Sequence, residues 1–178
     1  IRAYTVSENP GGIANSKFFL GKLFYTSGSF TQSIRYQQEA LRLYTRLGQR
    51  NKIAEVHSSL GTTYYFAHQS LKAMQEQELA MAIYLDLNDS KGIALTLTRI
   101  GRLREKEKNP ERALQLHNRA LVYCRKNNDS IIYAEICENI GSVYEDLEAF
   151  DKALEYYRLA YALNRSEKGK EARITILN

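Results

Sequence analysis

Three scarcities narrow what this chain can be before any motif is sought. Only 2 of its 178 residues are cysteine. That is too few for a disulfide framework, and Cys124 and Cys137 lack metal-ligand spacing. Such usage points to a reducing compartment, so a cytoplasmic setting is expected. No apolar run approaches the roughly 18 residues that a membrane span needs. Charge of one sign is also scarce. Lys and Arg number 25 against 20 acids, a net charge of +5 spread through a mixed sequence. This lacks the electrostatic footprint of a nucleic-acid or anionic-membrane binder. No basic segment followed by a short apolar core opens the chain, so no secretory signal is expected within it. Ile1 is not methionine, and what precedes it stays open.

Chemistry-bearing clusters are missing as well. His57, His68 and His117 are dispersed with no i, i+4 partner, so no helical zinc motif exists, and they are read as structural or surface histidines. No glycine loop of phosphate-cradling form is present. Glu145 and Asp146 are adjacent and would diverge on a helix, which does not suit acid–base work. The expectation is a non-catalytic protein with no cofactor and no metal.

What is present is a repeat of period 40. Leu20-Gly21, Leu60-Gly61, Ile100-Gly101 and Ile140-Gly141 share one phase. Ala14, Ala54, Ala94 and Ala134 share a second, and Ala40, Ala80, Ala120 and Ala160 a third. A fourth small column runs through Ser33, Ala73, Ala113 and Ala153. Such columns in register over four copies make the repeat the primary fold signal. Within each unit apolar residues recur at helical spacing, as at Ile136, Ile140, Val143, Tyr144 and Leu147. A second amphipathic segment follows, for example Ala153, Leu154, Tyr157, Ala160 and Tyr161.

A short break separates the two, such as Ser27-Gly28-Ser29 or Lys108-Asn109-Pro110, with Asn109 as N-cap and Pro110 as first helical residue. Each unit is therefore a hairpin of helix A and helix B. The B helices end at Gly48, Asn88 and Asn128, residues that tolerate a left-handed backbone. Asp89 and Asp129 then offer caps to the next A helix. Helices are expected near 13–27, 30–47, 52–67, 70–87, 91–107, 110–127, 131–147 and 150–166. The glycines allow close approach of A and B, with Phe24, Tyr64 and Tyr144 filling the space beside them. Residues 1–12 read as the tail of a preceding repeat, and 13–52, 53–92, 93–132 and 133–172 as four repeats. Residues 173–178 read as the start of another, so a longer array is expected. Cys124 and Cys137 come to similar heights and read as two buried thiols, though contact between them stays open.

Small-residue columns, a Leu/Ile-Gly pair, an aromatic three residues later and spaced alanines on helix B resemble the tetratricopeptide (TPR) motif. The usual unit has 34 residues, and this chain is similar to a lengthened variety of roughly 40. Arg104 departs from the pattern where the A-helix aromatic is expected, and Ser70 and Pro110 replace the aromatic seen at Phe30 and Phe150. The resemblance implies an all-α solenoid, a right-handed superhelix of antiparallel helix hairpins with A helices on its concave side. It also implies a protein or peptide partner, with neither nucleic acid nor membrane bound. A sensor region attached to a kinase, phosphatase or transcription-regulator domain is the alternative. Open solenoid ends leave self-association as a further expectation.

By that analogy the inward positions are Asn15, Phe18, Lys22, Tyr25 and Thr26, then Glu55, Ser58, Thr62, Tyr65 and Phe66. The third repeat adds Leu95, Thr98, Arg102, Glu105 and Lys106, and the fourth Glu135, Glu138, Ser142, Glu145 and Asp146. Phe18, Tyr25, Tyr65 and Phe66 offer aromatic anchoring, and Glu135, Glu138, Glu145 and Asp146 acidic contacts, with Arg102 and Lys106 between, and Lys22 and Thr62 complete the partner-binding set. The competing reading is that the aromatics pack on neighbouring helices and the acids are a solvated face. A clamp for acidic chaperone tails is not expected, because Phe18 and Lys22 stand where Lys and Asn would be needed.

Overall fold

A computed structural model describes residues 9–127 and 129–165, with side chains 126 and 127 left aside. The described residues form eight α-helices and no strand. They are α1 (Pro10–Thr26), α2 (Phe30–Arg46), α3 (Arg50–Phe66), α4 (Ser70–Asp86), α5 (Ser90–Lys106), α6 (Pro110–Asn127), α7 (Ser130–Asp146) and α8 (Phe150–Asn164). The expected flanking fragments at 1–8 and 166–178, and the cap at Asn128, lie outside the described residues. Four helices start earlier than the sequence pattern indicates, α5 and α7 by one residue and α1 and α3 by more. α1 begins at Pro10 because the Asn9 side chain accepts from the Gly12 N–H at 3.0 Å and Pro10 needs no donor partner. That cap carries the helix through Gly11 and Gly12, two poor helix formers. α3 begins at Arg50, directly after the preceding turn closes.

The turns explain the uniform helix length. A left-handed residue follows each of α1, α2, α3, α4, α5 and α7: Gly28, Gly48, His68, Asn88, Lys108 and Glu148, with φ from 52 to 74°. The residue after each donates its N–H to a carbonyl five positions back, as Ser29 does to Phe24 (2.8 Å) and Ala149 to Tyr144 (2.9 Å). This Schellman closure satisfies carbonyls the helix end would otherwise orphan. It is the same within hairpins and between them, so the backbone repeats every 20 residues while the side chains repeat every 40. Starts are capped where the sequence predicts: Asp89 takes the Gly92 N–H, Asn109 the Arg112 N–H and Asp129 the Ile132 N–H.

The chain divides into two compact units, residues 1–83 and 84–178. In the first, α1 pairs with α2, α3 contacts α4, and α2 lies on α3. In the second, α5 pairs with α6, α7 with α8, and α6 lies on α7. All four small-residue columns are buried, the Ala14 and Ala40 columns almost completely. Close approaches fall along the glycine column and, outside it, at Gly92 against the Tyr84 ring. A Cβ on Gly21 would meet Gln37 Cγ at 2.6 Å, on Gly101 the His117 ring at 2.5 Å and on Gly141 the Tyr157 ring at 2.7 Å, and on Gly61 it would strike Gln77. The residue over each glycine of the column is thus the B-helix side chain sixteen positions on. The aromatics at Phe24 and Tyr144 stack instead on Tyr36 (5.3 Å) and Tyr156 (5.7 Å).

Three of the side chains over the glycines are polar and fully buried, so each needs a partner. Gln37 Nε2 donates to Ser33 Oγ (2.8 Å) and Thr63 Oγ1 (3.0 Å), and Gln77 Nε2 to the Ser58 carbonyl (3.0 Å). His117 Nε2 sits 2.7 Å from Glu105 Oε1. Gln37 Oε1 and His117 Nδ1 have no hydrogen-bond partner among the described residues. Cys124 and Cys137 are both buried and form no disulfide, and burial first, then the neighbouring Cys124, pushes Cys137 up to about 12. No helix among the described residues is long and apolar enough to cross a membrane.

Two substitutions test this geometry by urea unfolding. Gly101→Ala drives a methyl into the buried His117 ring and is expected to cost roughly 1–3 kcal/mol. Glu148→Gly relieves a left-handed backbone that a side chain opposes and is expected to stabilise by about 1 kcal/mol.

Candidate partner-binding face

The A helices of unit 1, α1 and α3, carry the expected aromatic positions, and their fates differ along the helix. Phe18 is only 5% exposed. Its ring meets Tyr44 edge-on at 6.4 Å, and Lys22 Nζ lies 4.3 Å from its centroid. Lys22 also reaches Glu55 Oε1 at 2.9 Å, while Lys52 holds Oε2 at 2.9 Å. Burial pushes the Glu55 carboxyl up, but the ammonium groups of Lys52 and Lys22 outweigh it and hold it below its ordinary range. Tyr44 donates to Asn15 Oδ1 at 2.7 Å. The N-terminal part of this face is therefore engaged by the hairpins themselves.

The C-terminal part is different. Tyr25 and Phe66 meet at 5.6 Å edge-to-face, Phe66 and Tyr65 at 5.2 Å, and Tyr25 and Phe30 at 6.3 Å. These four rings form one cluster where α1 and α3 end and α2 begins. Tyr25, Phe30 and Tyr65 are half-buried and Phe66 is 37% exposed. Their polar tips and open edges suit contact with an apolar group in a half-wet setting. Thr62 is half-buried one turn before, its hydroxyl donating to the Ser58 carbonyl at 3.1 Å. Phe30 was not among the sequence-predicted site residues, although an aromatic just past the turn from Tyr25 was the available signal.

In unit 2, α5 presents half-buried Arg102 and exposed Lys106, and α7 presents half-buried Glu135 and exposed Glu138, Glu145 and Asp146. Two of these acids also serve the hairpin. Glu138 Oε1 accepts from Asn164 at 3.3 Å and Glu145 Oε2 from the Tyr157 hydroxyl at 2.8 Å. Asp146 shares a shallow recess with Glu105, Lys108 and Pro110. The structure thus gathers Tyr25, Tyr65 and Phe66 with Phe30. It turns Phe18, Glu138 and Glu145 toward their own hairpin partners. Among the described residues no group of three or more His, Cys, Asp or Glu is placed to hold a metal ion.

The tetratricopeptide repeat model matches residues 12–86 and 92–166. The chain belongs to the tetratricopeptide repeat family. The second match begins two 40-residue units after the first, in register with the glycine column. As a TPR chain it has the all-α fold of helical-repeat solenoids, and its repeats are those of a protein–protein interaction module. No curated protein sequence matches it. Several solved structures share the fold. BtubC (BKLC) from P. vanneervenii superposes with a TM-score of 0.72 at 19% identity, covering 90% of this chain and 66% of that one. The apo form of RapI gives 0.75 at 17%, covering 92% and 46%. Aspartyl phosphate phosphatase F from Bacillus subtilis gives 0.67 at 14%, covering 95% and 52%. The TPR chain therefore spans about half to two thirds of the length of these proteins.

The Glu145 contact has a titratable consequence. Burial first, then the hydrogen bond to Glu145, pushes the Tyr157 phenol up to about 12. Tyrosine ionises near 10 when unfolded. The stabilisation linked to the neutral phenol is therefore complete below pH 10 and is lost as pH rises from about 10 through about 12. Burial also raises Tyr44, Tyr64, Tyr133 and Tyr156, so phenolate absorbance should show several late-titrating tyrosines, one of which moves part of the way toward 10 in Glu145→Gln.

Proposed function

We propose that this TPR chain binds a partner protein through an extended or helical peptide segment whose apolar anchor seats on the aromatic cluster of Tyr25, Phe30, Tyr65 and Phe66. The cluster is the single observation that carries the reading. Four rings from two successive A helices and one B helix converge while remaining part-exposed, which is how interfaces present a few high-energy anchors. Lone exposed apolar residues elsewhere, such as Leu71, lack this convergence.

A second reading is a regulatory region of a larger signalling protein. The likeness to a phosphatase-named structure, of which the chain spans 52%, favours it. Peptide binding at the same cluster would serve both readings, because a ligand shifts an attached domain only through differential affinity for two states.

Peptide-array capture followed by calorimetry on the tightest peptides tests the proposal. Tyr65→Ala and Phe66→Ala should each weaken binding by about tenfold or more, about 1.4 kcal/mol. Leu71→Ala should leave it unchanged. Affinities indifferent to both aromatic substitutions would remove the cluster from the interface.

A further inference from the structure

The four rings of the cluster touch in the order Phe30, Tyr25, Phe66, Tyr65, with centroids 6.3, 5.6 and 5.2 Å apart. At those separations neighbouring rings are already in contact, so no Leu, Met or Phe side chain fits between them. Their planes are inclined at 46, 67 and 82°, which leaves shallow notches along a row of rings.

The fold does not require rings at these points. The column of Tyr25 and Tyr65 continues as Glu105 and Glu145, and that of Phe66 as Lys106 and Asp146, on helices of the same length. Hairpins in unit 2 close with charged side chains where unit 1 carries aromatics. The part-exposed rings of unit 1 are therefore a surface feature.

Charge is missing from the same stretches of chain. Residues 23–34 and 56–71, which hold all four rings, contain no Asp, Glu, Lys or Arg. The charges that precede them, Lys22 and Glu55, hold each other at 2.9 Å. A charged side chain of a bound segment would lose water against these rings without gaining a counter-charge from those stretches. An uncharged segment avoids that cost.

Proline meets each of these conditions. A pyrrolidine ring is small, rigid and apolar, and can rest in a notch between inclined rings. It has no N–H, so laying it on an apolar surface strands no backbone donor. A polyproline II segment presents the same face every third residue, about 9 Å on, which suits a row of rings better than a single hole. Its conformation is largely set before binding, so docking on a surface without a deep pocket orders little. Resting on the peptide-binding reading, we infer that the segment seated on this cluster is an uncharged, proline-rich stretch of the partner protein in the polyproline II conformation.

Decaproline is the probe, titrated into the 178-residue chain and followed by amide NMR. Amides of residues 25–31 and 62–67 should shift and approach saturation at roughly millimolar peptide. Salt up to about 0.5 M should leave the affinity unchanged, because no charge pair is there to be screened. Tyr65→Glu and Phe66→Lys install the side chains that Glu105 and Lys106 carry in the same columns, with circular dichroism confirming the helices. Each should weaken decaproline binding about tenfold or more, and Leu71→Ala should not. Amides that stay unshifted by decaproline overturn the inference, as does binding that survives both substitutions. Array peptides that lose affinity in Tyr65→Ala but carry no proline overturn it while leaving the peptide-binding reading in place. Array peptides indifferent to both Tyr65→Ala and Phe66→Ala remove the two together.

Discussion

The distance between the two helices of each hairpin is set by one contact, the side chain that lies across an A-helix glycine. A helix surface without a Cβ lets the partner backbone come close enough that Gln37, His117 and Tyr157 rest where a methyl would otherwise stand. The alanine columns flank that point and are buried because nothing larger fits at that separation. Larger side chains are then displaced to the sides, which is why Phe24 and Tyr144 find stacking partners on the B helix rather than lying over the glycine. Repetition of this contact makes the hairpins alike despite few identical residues.

The same contact places polar groups in the core. A glutamine or histidine over the glycine is cut off from water and must be satisfied by neighbours, and those neighbours differ from repeat to repeat. Gln37 uses hydroxyls on its own helix and on α3, Gln77 uses a backbone carbonyl, and His117 uses Glu105. Polar satisfaction therefore distinguishes repeats whose apolar packing is shared. Function follows a similar division. Shared columns build the scaffold, while residues at the helix ends, where packing is incomplete, supply surface such as the Tyr25, Phe30, Tyr65 and Phe66 cluster.

Much of this was legible in order of residues alone. Hairpin number, helix type and the caps at Asp89, Asn109 and Asp129 follow from spacing, because capping and periodicity are local and act within a few residues. The start of α1 was less legible, since Gly11-Gly12 and Asn9-Pro10 give opposing local signals and only the formed cap decides between them. The candidate face was read in part. Tyr25, Tyr65 and Phe66 do converge, but Phe18 shares their column logic and is buried, because the partner opposite it is Tyr44.

Sequence by itself determined the repeat, its register and the residues that must be small, since a fixed period and a missing Cβ are properties of the chain. It did not reveal that turns within and between hairpins share one closure, because His68, Lys108 and Glu148 adopt a left-handed backbone their side chains disfavour. Nor did it reveal which ring or carboxylate is already engaged. Whether Phe18 packs inward while Phe66 remains open, or whether Glu145 holds the Tyr157 hydroxyl, depends on what the neighbouring helix presents at that height. Those are contacts between residues 12 to 41 positions apart in the chain, and only the packed helices bring them together.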